Sequence, residues 1–469
     1  MTEDGQRVNA IKIQAPSVCA RMNPRGKVWV WVVVVLVVLP IIGIILFHLT
    51  TGSAINKRMA ELRAQRQPVT LKELNESYTL PVGVENAAYF YLDAIDRLAK
   101  WSNEDKNRLP VVGHASLPSR AEPISDANQV LAQQYLSDNK DALTILHEAA
   151  VLTHARYPLD FTQGQNMSIP WLSSVRDCAR LLKLEALICV ENGDPNRAVE
   201  SVQACLALTG SLKAPLLIEH LVRIAVLGLS YQTLERILSR CALTDEQLGG
   251  LIQILDTVES TAGLKNAFIG ERSMGLSFFR QPLRAAGSMS SSGNHVPTFV
   301  LAPLRALGIL KWDQLAYLDI MQDYIKAFDM PIQQRRQAAQ RTSEDVDAGR
   351  RGGILTRLIV PALGRVMELD VRAQAGLLAC RTGLQVERFR LATGQLPESL
   401  DQLVPLYLPA VPSDPFDGQP LRYKTLAKGF VVYSIGVDLS DDGGAEQVKS
   451  RRRSGQKPLP YDRTFIVER

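Results

Sequence analysis

Between Val28 and Phe47 this chain runs for twenty residues, VWVWVVVVLVVLPIIGIILF, without a charge or a strongly polar side chain. At about 1.5 Å per helical residue such a run covers about 30 Å, the thickness of a bilayer's hydrocarbon core. Trp29 and Trp31 stand near one end, where indole rings favour the headgroup zone. A cleaved signal peptide has an apolar region of only about 7–15 residues followed by a small-residue cleavage site. This run is longer, and no Ala-x-Ala follows it. Pro40 and Gly43 can kink a span without ending it. The expectation is a retained signal-anchor over residues 28–50, with the lipid bilayer as its first partner.

The flanks give the expected orientation. Arg21, Arg25 and Lys27 crowd the N-terminal side, whereas the first basic residue beyond the run is Lys57, followed by Arg58, Arg63 and Arg66. The positive-inside rule places residues 1–27 in the cytoplasm, as a polar, aperiodic and disordered tail. The bulk of a single-pass protein of the inner (cytoplasmic) membrane then lies on the extracytoplasmic side.

That bulk is large enough for two or three domains in a chain of 469 residues. With 46% hydrophobic and 22% charged residues it has the composition of packed globular protein. A net charge of +5, with acidic and basic residues interspersed, provides no electrostatic footprint for nucleic acid. An aromatic content of 6% argues against a base- or sugar-stacking surface. Cys19 falls on the cytoplasmic side and precedes the apolar run, where a lipoprotein cysteine would have to follow it. Cys178, Cys189, Cys205, Cys241 and Cys380 form no CxxC pair and sit in apolar helical surroundings, which predicts buried free thiols.

Helical periodicity dominates from the anchor onward, so residues 54–334 are expected to form an α-helical domain. Ile55–Arg66 reads as a short juxtamembrane helix, Val84–Ala99 as another, and Asp126–Arg156 as two more. The clearest hairpin runs from Pro170 to Leu212. Its Glu-Asn-Gly-Asp-Pro turn lets Gly193 close one helix, Asp194 cap the next and Pro195 occupy its first turn. Thr244-Asp-Glu-Gln247 is a capping box that opens a further helix through Glu259. Ala285–Pro297 is a Ser/Gly loop, and helix resumes over Trp312–Ala327. Residues 335–353 are charged, poor in apolar side chains and end in Arg-Arg-Gly-Gly, which reads as a linker. Residues 354–469 then form a small α+β domain. Val366, Ala373, Leu377, Cys380, Leu384 and Leu391 make a stripe along one long helix, Arg422–Lys424 and Phe430–Ile435 read as paired strands, and Thr464–Val467 as a final edge strand.

The C-terminal segment carries an ordered run of signatures: a helix closed by Gly394, then LPESLDQLVPLYLPAVPSDPFDGQPLRYK, then GFVVYSIGVDLSDDGG. In that order they resemble the C-terminal half of the major pseudopilins of bacterial type II secretion. The resemblance covers roughly the last quarter of the chain and implies a pseudopilin-like α+β fold with calcium bound in the loop after this strand. The Gly-Phe-Thr-Leu-x-Glu processing site of those proteins does not precede Val28. Gly193, Ala198, Val202 and Cys205 resemble the second half of a tetratricopeptide unit, although no second copy follows about 34 residues on. Both a solitary helical hairpin and a divergent repeat fit.

The loop named by that resemblance holds the candidate metal ligands. Asp438, Ser440 and Asp442 place oxygens at alternate positions before Gly443, with Asp441 as an extra or substitute ligand for Ca2+. Lys449 stands where an EF-hand has its bidentate Glu, and a basic run begins there, so a hydrated Asp-rich turn is the competing reading. His147-Glu148 begins an apparent HExxH, but Val151 occupies the second His position and His154 lies seven residues on. Gly-Ser-Met-Ser-Ser-Ser-Gly at 287–293 has no flanking strand to make it a nucleophile elbow. No phosphate loop or dinucleotide fingerprint appears. The favoured expectation is a bacterial membrane-anchored, non-enzymatic scaffold with protein partners in the cell envelope. A divergent secretion-apparatus subunit and a hydrolase with dispersed catalytic residues are the alternatives. An exposed apolar groove would favour the scaffold, and converging titratable residues in a deep pocket the hydrolase.

Overall fold

The computed structural model describes residues 24–258, 262–280, 298–446 and 461–469. The tail before Pro24, the Ser/Gly stretch Ala285–Pro297 and the basic run from Lys449 lie outside these residues. The described chain is mainly helical, with one helix long and apolar enough to cross a membrane and a small three-stranded sheet at its C-terminal end.

Helix α1 spans Pro24–Ala64 and carries Pro40 inside it. The expected anchor and the expected juxtamembrane helix over Ile55–Arg66 are therefore one element. Thr50 and Thr51 do not break it, since the Thr50 hydroxyl donates back to the Leu46 carbonyl at 2.8 Å. Its apolar run is exposed along its length, whereas Ile55 and Leu62 are buried against the body.

Short helices α2 (Leu71–Ser77), α3 (Ala87–Asp96), α4 (Asn103–Asn107), α5 (Asp126–Asp138) and α6 (Lys140–Ala150) lead to the central hairpin. Thr70 and Asn86 cap α2 and α3 with their side-chain oxygens, satisfying amides that would otherwise be orphaned. The hairpin pairs α7 (Trp171–Glu191) with α8 (Pro195–Ser211) as the turn chemistry predicts. Gly193 takes φ 77°, which favours glycine, and Asp194 Oδ1 accepts from the Arg197 amide at 3.0 Å. Helix α9 (Leu217–Arg240) packs across both. The capping box that opens α10 (Asp245–Val258) is reciprocal: Thr244 Oγ1 accepts from Gln247 N, and Gln247 Oε1 from Thr244 N. Then follow α11 (Ala262–Arg280), α12 (Thr298–Ala306) and α13 (Ile309–Ala327).

The expected linker, 335–353, is helical through Asp347, as α14 (Ile332–Asp347). Its scarcity of apolar residues misled because the buried face is made from Ala339, Val346 and the stem of Arg335, whose guanidinium lies 5.1 Å from the Phe328 ring centre. Helix α15 (Ile354–Ile359) and the long α16 (Pro361–Thr393) follow, the latter closed by Gly394. The stripe on α16 is buried from Val366 to Leu384, but Leu391 is exposed.

Strands β1 (Arg422–Thr425), β2 (Phe430–Ser434) and β3 (Arg463–Val467) form an antiparallel sheet in the order β1-β2-β3. Phe430, Val432, Phe465 and Val467 share one apolar core with Leu377, Cys380 and Leu384 of α16 and with Leu234 and Leu238 of α9. The boundary expected at 354 thus leads into a core common to both sides. Edge strand β3 is covered rather than open: Glu235 accepts from the Ile466 amide and Ser239 from the Glu468 amide, each at 2.9 Å.

The Asp-Pro-Phe-Asp-Gly turn is the clamp of this module. Asp414 is fully buried. Its carboxylate accepts from Phe416 N at 2.9 Å, Ser434 Oγ at 2.8 Å, Ile435 N at 3.0 Å and Arg422 Nη1 at 2.8 Å. Arg422 reaches Asp417 with its other nitrogen.

Candidate functional site

The small residues of α8 open a groove. Along one face of that helix lie Glu200, Gln203, Ala204, Ala207, Gly210 and Ser211, at the three- and four-residue spacing of a single stripe. Ala204, Ala207 and Gly210 give it a low floor. The end of α6 and the segment Val151–Ala155 form one wall; Ile254, Thr257 and Val258 of α10 with Gly263 and Asn266 of α11 form the other. The cavity between them measures about 950 Å³. Val151, 79% exposed, stands on its rim as an apolar side chain with no cover.

One end of the groove is fixed by an ionic knot. Glu185 of α7 accepts from His147 Nε2 at 2.7 Å, from Ser201 Oγ at 2.8 Å, and from Arg197 Nε and Nη2 at 3.1 and 2.9 Å. Arg197 also reaches Glu200 at 3.1 Å. Burial by itself raises the Glu185 carboxyl, but the bonds from His147 and Ser201 and the charge of Arg197 hold it below the usual carboxylate range. A serine, a histidine and a glutamate thus meet here, but not in the order of a nucleophile, a base and its orienting acid. The carboxylate lies between the other two, so Ser201 donates to Glu185 and has no histidine nitrogen to take its proton. The knot is a structural tie between α6, α7 and α8.

At the other end Arg223 of α9 donates to the Val258 carbonyl at 2.7 Å, and burial lowers its pKa. Beside it Glu219 accepts from the Ala214 amide at 2.7 Å, and burial pushes its carboxyl up to about 7. The lining itself carries Arg197, Lys213 and Arg223 against one carboxylate, Glu200, with His147 and His154 in addition. Arg197 is spent on Glu185 and Glu200, so the cations left to the groove are Lys213 and Arg223, beside an apolar lip, an arrangement suited to an anionic segment.

The expected calcium ligands lie elsewhere, in the loop after β2. Asp438 Oδ1 accepts from Ser440 N at 3.3 Å, and Asp441 Oδ1 from Gly443 N at 2.9 Å and Tyr433 OH at 3.1 Å. Asp442 is raised by partial desolvation and by the charges of Asp438 and Asp441. Asp462, which sequence reasoning missed, clamps the loop from the β3 side, accepting from Asp442 N at 3.4 Å and Gly444 N at 2.7 Å. Among the described residues no group of three or more His, Cys, Asp or Glu side chains is placed to hold a metal ion. Cys178, Cys205 and Cys380 are buried free thiols, and Cys189 and Cys241 are half-buried free thiols.

Comparisons of the chain with protein-family models, with curated proteins and with solved structures return no match. The groove was not legible because its lining comes from helices far apart in sequence. Alanines and a glycine on a helix face also read as close-packing positions rather than as the floor of an opening.

Proposed function

We propose that this protein is a single-pass scaffold of the bacterial inner membrane whose extracytoplasmic body receives an acidic segment of a cell-envelope partner along α8. The observation that carries the reading is the groove of about 950 Å³, with its low floor, exposed Val151 and the cations Lys213 and Arg223 in its lining. His147, Arg197 and Glu200 are tied to neighbours in the ionic knot and Arg223 to the Val258 carbonyl, which speaks for binding and against hydrolysis. The basic flank Arg21, Arg25 and Lys27 supports the orientation. A divergent secretion subunit is the second reading, favoured by the long α16 followed by the Asp414 clamp and a three-stranded meander in the order of the pseudopilin motifs.

The test uses full-length protein in native membranes with a photoreactive residue at Ala207. A protein adduct that forms with wild-type lining and is lost in Lys213→Glu supports an acidic partner in the groove. No adduct, or one indifferent to that charge reversal, overturns it. Protease added outside spheroplasts should degrade the region after Ala54; protection of that region would reverse the topology.

A further inference from the structure

Helix α13 packs on α1 in a register that shows which of its ends lies toward the bilayer. At Gly308, just before α13, an added Cβ would come within 2.9 Å of the Phe47 ring. Lys311 Nζ donates to the His48 carbonyl at 3.4 Å, and Arg58 pairs with Asp319 at 2.9 Å. Residue numbers rise together along the two helices, so they run parallel and α13 leaves the apolar span in the same direction as α1. What precedes Gly308 therefore lies on the bilayer side.

What precedes it is α12, TFVLAPLRA, whose last residue, Ala306, accepts from His48 Nε2 at 2.9 Å. Phe47 is the final residue of the apolar run and His48 the first polar one after it. The end of α12 thus sits at the depth where hydrocarbon gives way to headgroups. Around it Leu307 and Trp312 are each 44% exposed, Leu49 on α1 is 64% exposed, and Pro303, Arg305 and Lys311 are exposed as well. Against water this is uncovered apolar surface. At a headgroup–acyl boundary the same set is matched, with leucine and indole toward the chains and the basic ends reaching phosphates.

We propose that α12 and the first turn of α13 are a second membrane contact, an interfacial wedge lying in the phospholipid headgroup–acyl boundary beside the α1 span. The wedge rests on reading α1 as a membrane span, and its occupant is phospholipid because the patch continues the lipid-facing surface of that span. Full-length protein in nanodiscs that carry a phospholipid with a diazirine high on its acyl chain tests it, with adducts mapped by mass spectrometry. Adducts are expected on peptides covering Leu304–Trp312 as well as on Val28–Phe47. Labelling confined to Val28–Phe47 overturns the wedge and leaves the anchor standing, whereas labelling of neither overturns the anchor itself. A photoreactive residue at Leu307 in the same discs is the second arm: adducts with lipid support the wedge, and adducts with another copy of the chain overturn it.

Discussion

Asp414→Ala should unfasten the C-terminal sheet. The substitution removes the acceptor of four hydrogen bonds from a site with no solvent exposure. Arg422 keeps Asp417, and the Ser434 hydroxyl can turn. The Phe416 and Ile435 amides have no such recourse. Each buried, unsatisfied donor costs about 1–3 kcal/mol, so with two such amides the expected destabilisation is about 4 kcal/mol. Asp414→Asn keeps the shape and one acceptor oxygen but turns an NH2 group toward both Arg422 and Ile435 N, or, flipped, toward Phe416 N and the Ser434 hydroxyl, and should cost somewhat less. Hydrogen exchange by mass spectrometry on the full-length protein reads the effect where it falls. Peptides covering Phe430–Ile435 should exchange about a hundredfold faster or more, at 1.4 kcal/mol per decade, while the α7–α8 hairpin stays protected. A change of less than tenfold in the strand peptides would refute the assignment of Asp414 as the clamp.

Glu235 gives a pH-dependent counterpart. Burial pushes its carboxyl from 4.5 to about 7, so the folded state holds a proton that the unfolded state has released. Stability from this group is full below the unfolded value and is lost as pH rises through about 7, by about 3 kcal/mol in total. Glu235→Gln keeps an acceptor for the Ile466 amide without the charge; its urea midpoint should fall less than that of the wild type between about pH 5 and about pH 8, and equal falls would sink the reasoning. For the loop after β2, Asp438 and Asp441 already serve backbone amides, so melting midpoints in millimolar calcium and in chelator should coincide. A bound ion at a hundredfold excess over its Kd would add about 2.7 kcal/mol, and a rise of that order would make Asp438, Ser440, Asp441 and Asp442 a calcium site.

What the chain spells out locally, the structure contains. The α7–α8 turn, the Thr244 capping box, the closure at Gly394 and the paired strands depend on residues within a few positions of one another, where propensity and capping act directly. Interactions set by distant partners were hidden. Asp414 is recognisable as a turn residue, but nothing near it in sequence says that it also takes the Ser434 hydroxyl and the Ile435 amide. The α14 helix was obscured because arginine and alanine make its buried face. The groove required α6, α8, α10 and α11 to be brought together first.

Because α1 continues without a break past Phe47, the body of the protein is mounted rather than tethered. From His48 to Ala64 the helix has 17 residues and rises about 25 Å. A flexible linker of the same length would have a similar reach, roughly 5–6 Å times the square root of its residue count, but it would let the body swing and tumble over the surface. A helical stem that is also braced by α13 removes that freedom. On the proposed reading of α1 as a membrane span, the mouth of the groove is held at one height and one heading with respect to the bilayer. A partner in the same membrane would then have to present its segment at that altitude and from that side.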